Sequence, residues 1–197
     1  TLCTSSQKYV LRPVWSNASA LSMGSFGSGN QLVVSNGGVV ANGDGALGSF
    51  SASSNNVAVV TGAGSLWSNM NSFAVGNGGS DNQLVVTNGG VVRNVDGRVG
   101  FNASGSRNVA VVTDPGSVWS SANNLHVGYL GSDNQMIVSN GGVVTSFAGT
   151  IGLSSSNRVQ VTGAGSAWTN TDTLRVGGSG PFNRLVVTNG GWVRCSS

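Results

Sequence analysis

Apolar and polar residues alternate in short bursts along this chain, and the bursts return at a nearly fixed interval. An Asn heads each one, at Asn30, Asn56, Asn82, Asn108, Asn134, Asn157 and Asn183, in steps of 26, 26, 26, 26, 23 and 26 residues. Four positions after each Asn stands a valine: Val34, Val60, Val86, Val112, Val138, Val161 and Val187. Two positions before that valine stand Leu32, Ala58, Leu84, Ala110, Met136, Val159 and Leu185. Apolar residues two apart share one face of an extended chain, so each burst predicts a half-buried strand. A second strand per unit is predicted by the pairs Phe73/Val75, Val99/Phe101, Leu125/Val127, Ile151/Leu153 and Leu174/Val176. A third follows from Val39-Val40, Leu66-Trp67, Val91-Val92, Val118-Trp119 and Val143-Val144. The one short step loses its residues between Leu153 and Asn157, in a Ser-rich stretch, which places the deletion in a turn.

A longer period overlies the short one. Asn-Gly-Gly begins at Asn36, Asn88, Asn140 and Asn189, and tryptophan recurs in step at Trp15, Trp67, Trp119 and Trp168. Units of two kinds therefore alternate. Three short strands and three turns in roughly 26 residues cannot bury their apolar faces alone, but stacking unit on unit does so. The predicted fold is all-β, a single-stranded parallel β-helix of roughly seven to eight coils. One domain is expected over 1–197: a degenerate N-terminal coil at 1–29, regular coils over 30–182, and an incomplete coil at 183–197. Each coil would sit ~4.8 Å above the last. Like residues then form ladders, and the leading Asn suits one because its amide pairs with the Asn above and below while bonding a bent backbone.

Composition narrows what such a solenoid can do. Only 8% of residues are charged and 32 of 197 are glycine, against usual values of ~25% and ~7%. The acids are six Asp with no Glu, and there is one Lys (Lys8) and one His (His126). Polysaccharide-cleaving β-helices need clustered carboxylates or a basic residue on one face, so no enzyme and no cofactor is expected. His126, between Leu125 and Val127, reads as an exposed structural residue. Asp81 and Asp133 share a register position but lie two coils apart, roughly 10 Å, too far for one calcium ion. The net charge of +3 comes from scattered Arg, which argues against a nucleic-acid partner. No apolar run approaches the ~18 residues of a membrane helix, so no membrane insertion is expected.

The repeated phrases are long enough to compare with known repeats. Val59-Val60-Thr61-Gly62-Ala63-Gly64-Ser65-Leu66-Trp67 leads to Phe73-Ala74-Val75-Gly76, then to Asn82-Gln83-Leu84-Val85-Val86-Thr87-Asn88-Gly89-Gly90-Val91-Val92 and Val99-Gly100. This signature, renewed in each block over about residues 13–194, resembles the type V secretion and PEP-CTERM-associated repeat family of bacterial surface proteins and autotransporter passengers. The resemblance implies an exported, β-helical protein, secreted or at the cell surface, without shared catalytic residues. The outer-membrane barrel and the C-terminal sorting segment of such relatives do not occur in these residues, so the mode of anchoring stays open.

Two further features bear on partners. The outward column Val33, Val59, Val85, Val111, Ile137 and Val186, interrupted by Gln160, forms an apolar stripe flanked by Ser and Thr. It is a candidate lateral contact for protein; a water-ordering Val/Thr array and plain strand propensity are the alternatives. Cys3 and Cys195 fall at opposite ends of the stack, roughly 34 Å apart, whereas a disulfide needs Cα atoms within ~7 Å. A bond within one chain is thus not expected. Head-to-tail stacking of copies keeps the two coil types alternating and brings Cys195 near Cys3 of a neighbour, and an open head-to-tail contact makes a fibre. The alternative for the cysteines is that both are free or pair elsewhere. The expected function is a structural subunit stacking into an extracellular filament; an adhesin stalk or passenger fragment binding a glycan or host surface is the alternative. For the adhesin, Tyr129 and Phe182 are the turn aromatics that stand outside the repeat.

Overall fold

Apolar alternation and Gly-containing turns put this chain into extended segments too short to fold alone. A computed structural model describes residues 13–196; Cys3 lies outside the described residues. In one coil, the strand Val57–Thr61 leads to Leu66–Asn69 and then to Ser72–Val75. Equivalent strands of successive coils pair in parallel, building three sheets of seven, eight and seven strands. We call them the first, second and third faces, in the order the chain visits them. The described residues form an all-β solenoid of about seven turns with three strands per coil. The short step at Asn157 keeps register: Met136 pairs with Val159 and Val138 with Val161. The missing residues come out of the turn before Asn157, after the strand Ala148–Ile151.

The interior explains why two coil types alternate. On the first face the inward column reads Leu32, Ala58, Leu84, Ala110, Met136, Val159. On the second it reads Val40, Trp67, Val92, Trp119, Val144, Trp168. On the third it reads Gly45, Phe73, Gly97, Leu125, Gly149, Leu174. A coil with Trp and Phe or Leu therefore carries Ala or Val on the first face. A coil with Leu or Met there carries Val and Gly elsewhere. Large and small side chains complement one another from coil to coil, as a close-packed core requires. The indole of Trp67 meets the Phe73 ring edge-on at 4.7 Å, and Phe73 meets Trp119 at 6.0 Å.

This packing corrects the expected third-face pairs in two coils. The inward residues are Gly97/Val99 and Gly149/Ile151, so Phe101 and Leu153 lie in turns outside the core. The apolar spacing pointed past them because glycine carries no apolar signal. A Cβ on Gly97 would lie 2.7 Å from Leu125 Cδ1, and one on Gly149 2.6 Å from Trp168 Cζ2, so the space is already filled by the neighbouring coil.

The valine column needs one qualification at its end. Val60, Val86, Val112, Val138 and Val161 are fully buried and Val34 nearly so, but Val187 is 42% exposed. It sits on the inner side of the last described coil, where no further coil of the described residues covers it. Val176 on the third face is 47% exposed for the same reason.

Candidate functional site

The leading asparagines stand one above another at the corner before the first face. The side-chain oxygen of Asn108 accepts the backbone N–H of Asn82 at 2.9 Å and its Nδ2 at 3.1 Å. Asn108 in turn donates to Asn134 Oδ1 through its backbone N–H (2.9 Å) and Nδ2 (3.1 Å). The same double bond joins Asn30 to Asn56, Asn56 to Asn82 and Asn134 to Asn157. Asn157 reaches Asn183 through its backbone N–H at 2.8 Å. Asn183 Nδ2 instead satisfies the carbonyls of Ser154 and Gly180. Glycine faces this ladder for want of room: a Cβ on Gly76, which has φ +74°, would lie 2.0 Å from Asn108 Nδ2.

A second buried polar column, at the end of the second face, escaped the sequence. Asn42 Nδ2 donates to Asn69 Oδ1 at 2.7 Å, Asn94 Nδ2 to Ser121 Oγ at 2.8 Å, and Ser146 Oγ to Asn170 Oδ1 at 2.7 Å. Each tryptophan of the core donates its indole N–H into this column: Trp67 to Asn42, Trp119 to Asn94 and Trp168 to Ser146. The column mixes Asn and Ser, which hid it; the recurrence of Asn42, Asn69, Asn94 and Asn170 two residues after an inward Val or Trp was its signal. Cys195 occupies the same column in the last coil, opposite Asn170, and is exposed. Beneath it Asn170 Nδ2 is buried without a hydrogen-bond partner, whereas Asn42 and Asn94 donate onward to the next coil.

Of the candidate contact stripe, Val33 is 52% exposed, and Val59, Val85, Val111, Ile137 and Val186 are half-buried outward residues in register on the first face. A parallel outward column, Val39, Leu66, Val91, Val118 and Val143, runs up the second face. The two columns belong to different sheets.

The scattered charges sit on turns and on all three faces: Arg158 and Arg184 on the first, Arg93 and Arg194 on the second, Arg98 and Arg175 on the third. Arg107 stands on the coil between Asp81 and Asp133 and grips Asp81 through Nε (2.9 Å) and Nη2 (2.7 Å). No three His, Cys, Asp or Glu gather into a possible metal site among the described residues. His126 is half-buried rather than exposed, because Tyr129 packs edge-on against it at 5.2 Å. Burial, and then the Arg98 charge, push its pKa below the ordinary 6.5. No helix long and apolar enough to cross a membrane occurs among the described residues. Comparison with family models, with curated proteins and with solved structures finds no significant match for this chain.

Proposed function

We propose that this chain is a non-enzymatic, secreted or cell-surface structural protein whose solenoids stack head to tail into an extracellular filament. The β-solenoid itself is compatible with a structural or adhesin-like repeat protein. The observation that carries the finer reading is the last coil. Its inner residues Val176 and Val187 are 47% and 42% exposed, and its strands Leu174–Val176, Arg184–Thr188 and Trp192–Cys195 have a neighbour on one side only. Unpaired strand edges over uncovered apolar side chains are a template for further pairing. At the other end Trp15 is 46% exposed. A Trp-type coil placed on the last Asn-Gly-Gly coil continues the large-small alternation and brings the Trp15 indole towards the column that ends in Cys195. The exposure of Cys195 suits a bond to Cys3 of the neighbouring copy. The likeness of the repeats to exported surface proteins supports the location, and the lack of Glu with six dispersed Asp supports a mechanical role.

Non-reducing and reducing gels of native material, with negative-stain microscopy, test this. A ladder of ~20 kDa steps that collapses on reduction, with thin fibres, is expected from an interchain bond. A single monomer band without fibres overturns the filament and leaves the adhesin or passenger reading.

A further inference from the structure

Three departures from the repeat meet at one corner of the solenoid, beside the first face of the last two described coils. The first outward column of that face alternates Gln and Val up to Gln135 and then becomes Arg158 and Arg184, paired in register. Their backbones stand ~4.8 Å apart, and like charges opposite one another on a sheet are destabilising. The turn before Arg158 is the shortened one, over 154–156. The turn above it carries Phe182, which is 85% exposed at φ 60°. Asn55, Arg107 and Ser156 stand at the same place in other coils and are exposed too. That exposure therefore belongs to the corner and not to the end of the stack.

These groups are fixed in place and lack partners. The Ser156 N–H donates to the Pro181 carbonyl at 3.0 Å, and Asn183 Nδ2 donates to the carbonyls of Ser154 and Gly180, each at 2.8 Å. The turn that presents Phe182 is thus tied to the coil below, and Pro181 restricts its backbone further. No aromatic ring or guanidinium stacks on Phe182 among the described residues. Arg184 is exposed and makes no ion pair among them. Arg158 gives Nη2 to Gln160 Oε1 at 2.8 Å and its Nε is buried, which leaves its Nη1 donors and the Gln160 Nε2. No strand of the first face carries an acid, and Asp133, at this corner, acts on Arg107. A strained aromatic and two stacked cations without local compensation mark a site.

We propose that this corner binds a uronic acid unit of an acidic polysaccharide. A planar carboxylate matches the guanidinium fork of Arg184 and the Nη1 donors of Arg158, and its charge relieves the repulsion between them. The open Phe182 ring offers a platform to the apolar C–H face of the sugar. Two residues separate it from Arg184, so their Cα atoms lie at most ~7 Å apart, within the span of one sugar and its carboxylate. Gln160 Nε2 can donate to a ring hydroxyl. A nucleic-acid strand fits less well, because it needs successive stacking platforms along a basic groove, and this face continues uncharged through Gln135 and Ile137. The site lies on the side of the solenoid, goes beyond the filament reading and does not depend on it.

Isothermal titration calorimetry of the full chain at low salt, with a hexamer of galacturonic acid, a neutral galactose hexamer of the same linkage and a thymidine oligonucleotide of the same length, tests the proposal. The acidic hexamer should bind about tenfold more tightly than the neutral one, and more tightly than the oligonucleotide. Arg184→Gln should weaken its binding about fivefold. Phe182→Asn should weaken it about threefold. Arg93→Gln, which removes the same charge from the second face, should leave it unchanged. Arg184 and Phe182 are both exposed, and circular dichroism checks the fold of each variant. No binding of the acidic hexamer, equal binding of the neutral one, tighter binding of the oligonucleotide, undiminished binding in Arg184→Gln or Phe182→Asn, or an equal loss in Arg93→Gln would each overturn it.

Discussion

The indole nitrogen of Trp67 donates to the side-chain oxygen of Asn42 across adjacent coils at 2.7 Å, and both groups are buried. Trp119 and Asn94 repeat the relationship at 2.7 Å. Each such pair couples a core tryptophan of one coil to the polar column of the coil before, so neither coil type is complete without the other. Substituting Asn94→Val should leave the Trp119 indole N–H buried without an acceptor and take the donor from Ser121. The expected loss is on the order of 2 kcal/mol, read as a lower urea midpoint. A change under about 0.5 kcal/mol would mean that surface substitutions and this one are alike.

The ladder of leading asparagines makes a second demand, because each side-chain oxygen from Asn56 to Asn157 serves two donors. Asn108→Ala orphans the backbone N–H of Asn82, while its Nδ2 loses one acceptor and keeps the carbonyls of Ser53 and Ser80. A destabilisation of about 2 kcal/mol is expected from the buried unsatisfied N–H. Amide hydrogen exchange should locate it, with faster exchange at the Asn82 amide than at Asn30, whose bonds run to Asn56.

Alternation of volume is tested at Gly97. A Cβ there would lie 2.6 Å from Ser121 Oγ and 2.7 Å from Leu125 Cδ1. Gly97→Ala should therefore cost about 1–3 kcal/mol by overpacking, and adding Leu125→Val should recover part of that loss in a double-mutant cycle. Additive effects of the two substitutions would show that the coils do not share this space.

A strained turn offers the opposite sign. Phe182 has φ 60° and is 85% exposed, a left-handed conformation that a bulky side chain adopts at a cost. The equivalent position in the second regular coil is Asn55, at φ 57°. Phe182→Asn should raise stability by about 1 kcal/mol in thermal melts; no gain would show that the Phe182 ring has a compensating contact.

His126 supplies the pH dependence. Burial and the Arg98 charge lower its folded pKa below 6.5, against a smaller upward pull from Asp96. The unfolded chain thus binds the proton first. Stability should be full above the unfolded value and decline as pH falls below it towards the folded pKa. Urea midpoints measured across this range should fall for the wild type. They should fall less for His126→Thr, which installs the residue of the next coil in register, Thr150.

Much of this was legible in the sequence because a solenoid repeats its local chemistry. Asn108 and Val112 recur in every coil, so register and stacking follow from counting. The inward place of Gly97 was hidden, since its reason lies one coil away in Leu125 and Ser121, and an absent side chain leaves no apolar signal. The Asn42 column was hidden because Ser121, Ser146 and Cys195 replace Asn while keeping its position. The step from Ala74 to Arg98 between paired strands of the third face was hidden most of all, because a repeat pattern draws attention to what stays the same.

Sedimentation velocity at rising protein concentration, for the wild type and for Val187→Asp, tests head-to-tail stacking most directly. Val187 is 42% exposed on the inner side of the last coil, so the aspartate is carried on an open surface and places a charge where a second copy would dock. The wild type should sediment as species growing beyond the 19.7 kDa chain, while Val187→Asp stays a folded monomer. A wild type that remains monomeric at every concentration, or a variant that assembles equally well, would contradict the account.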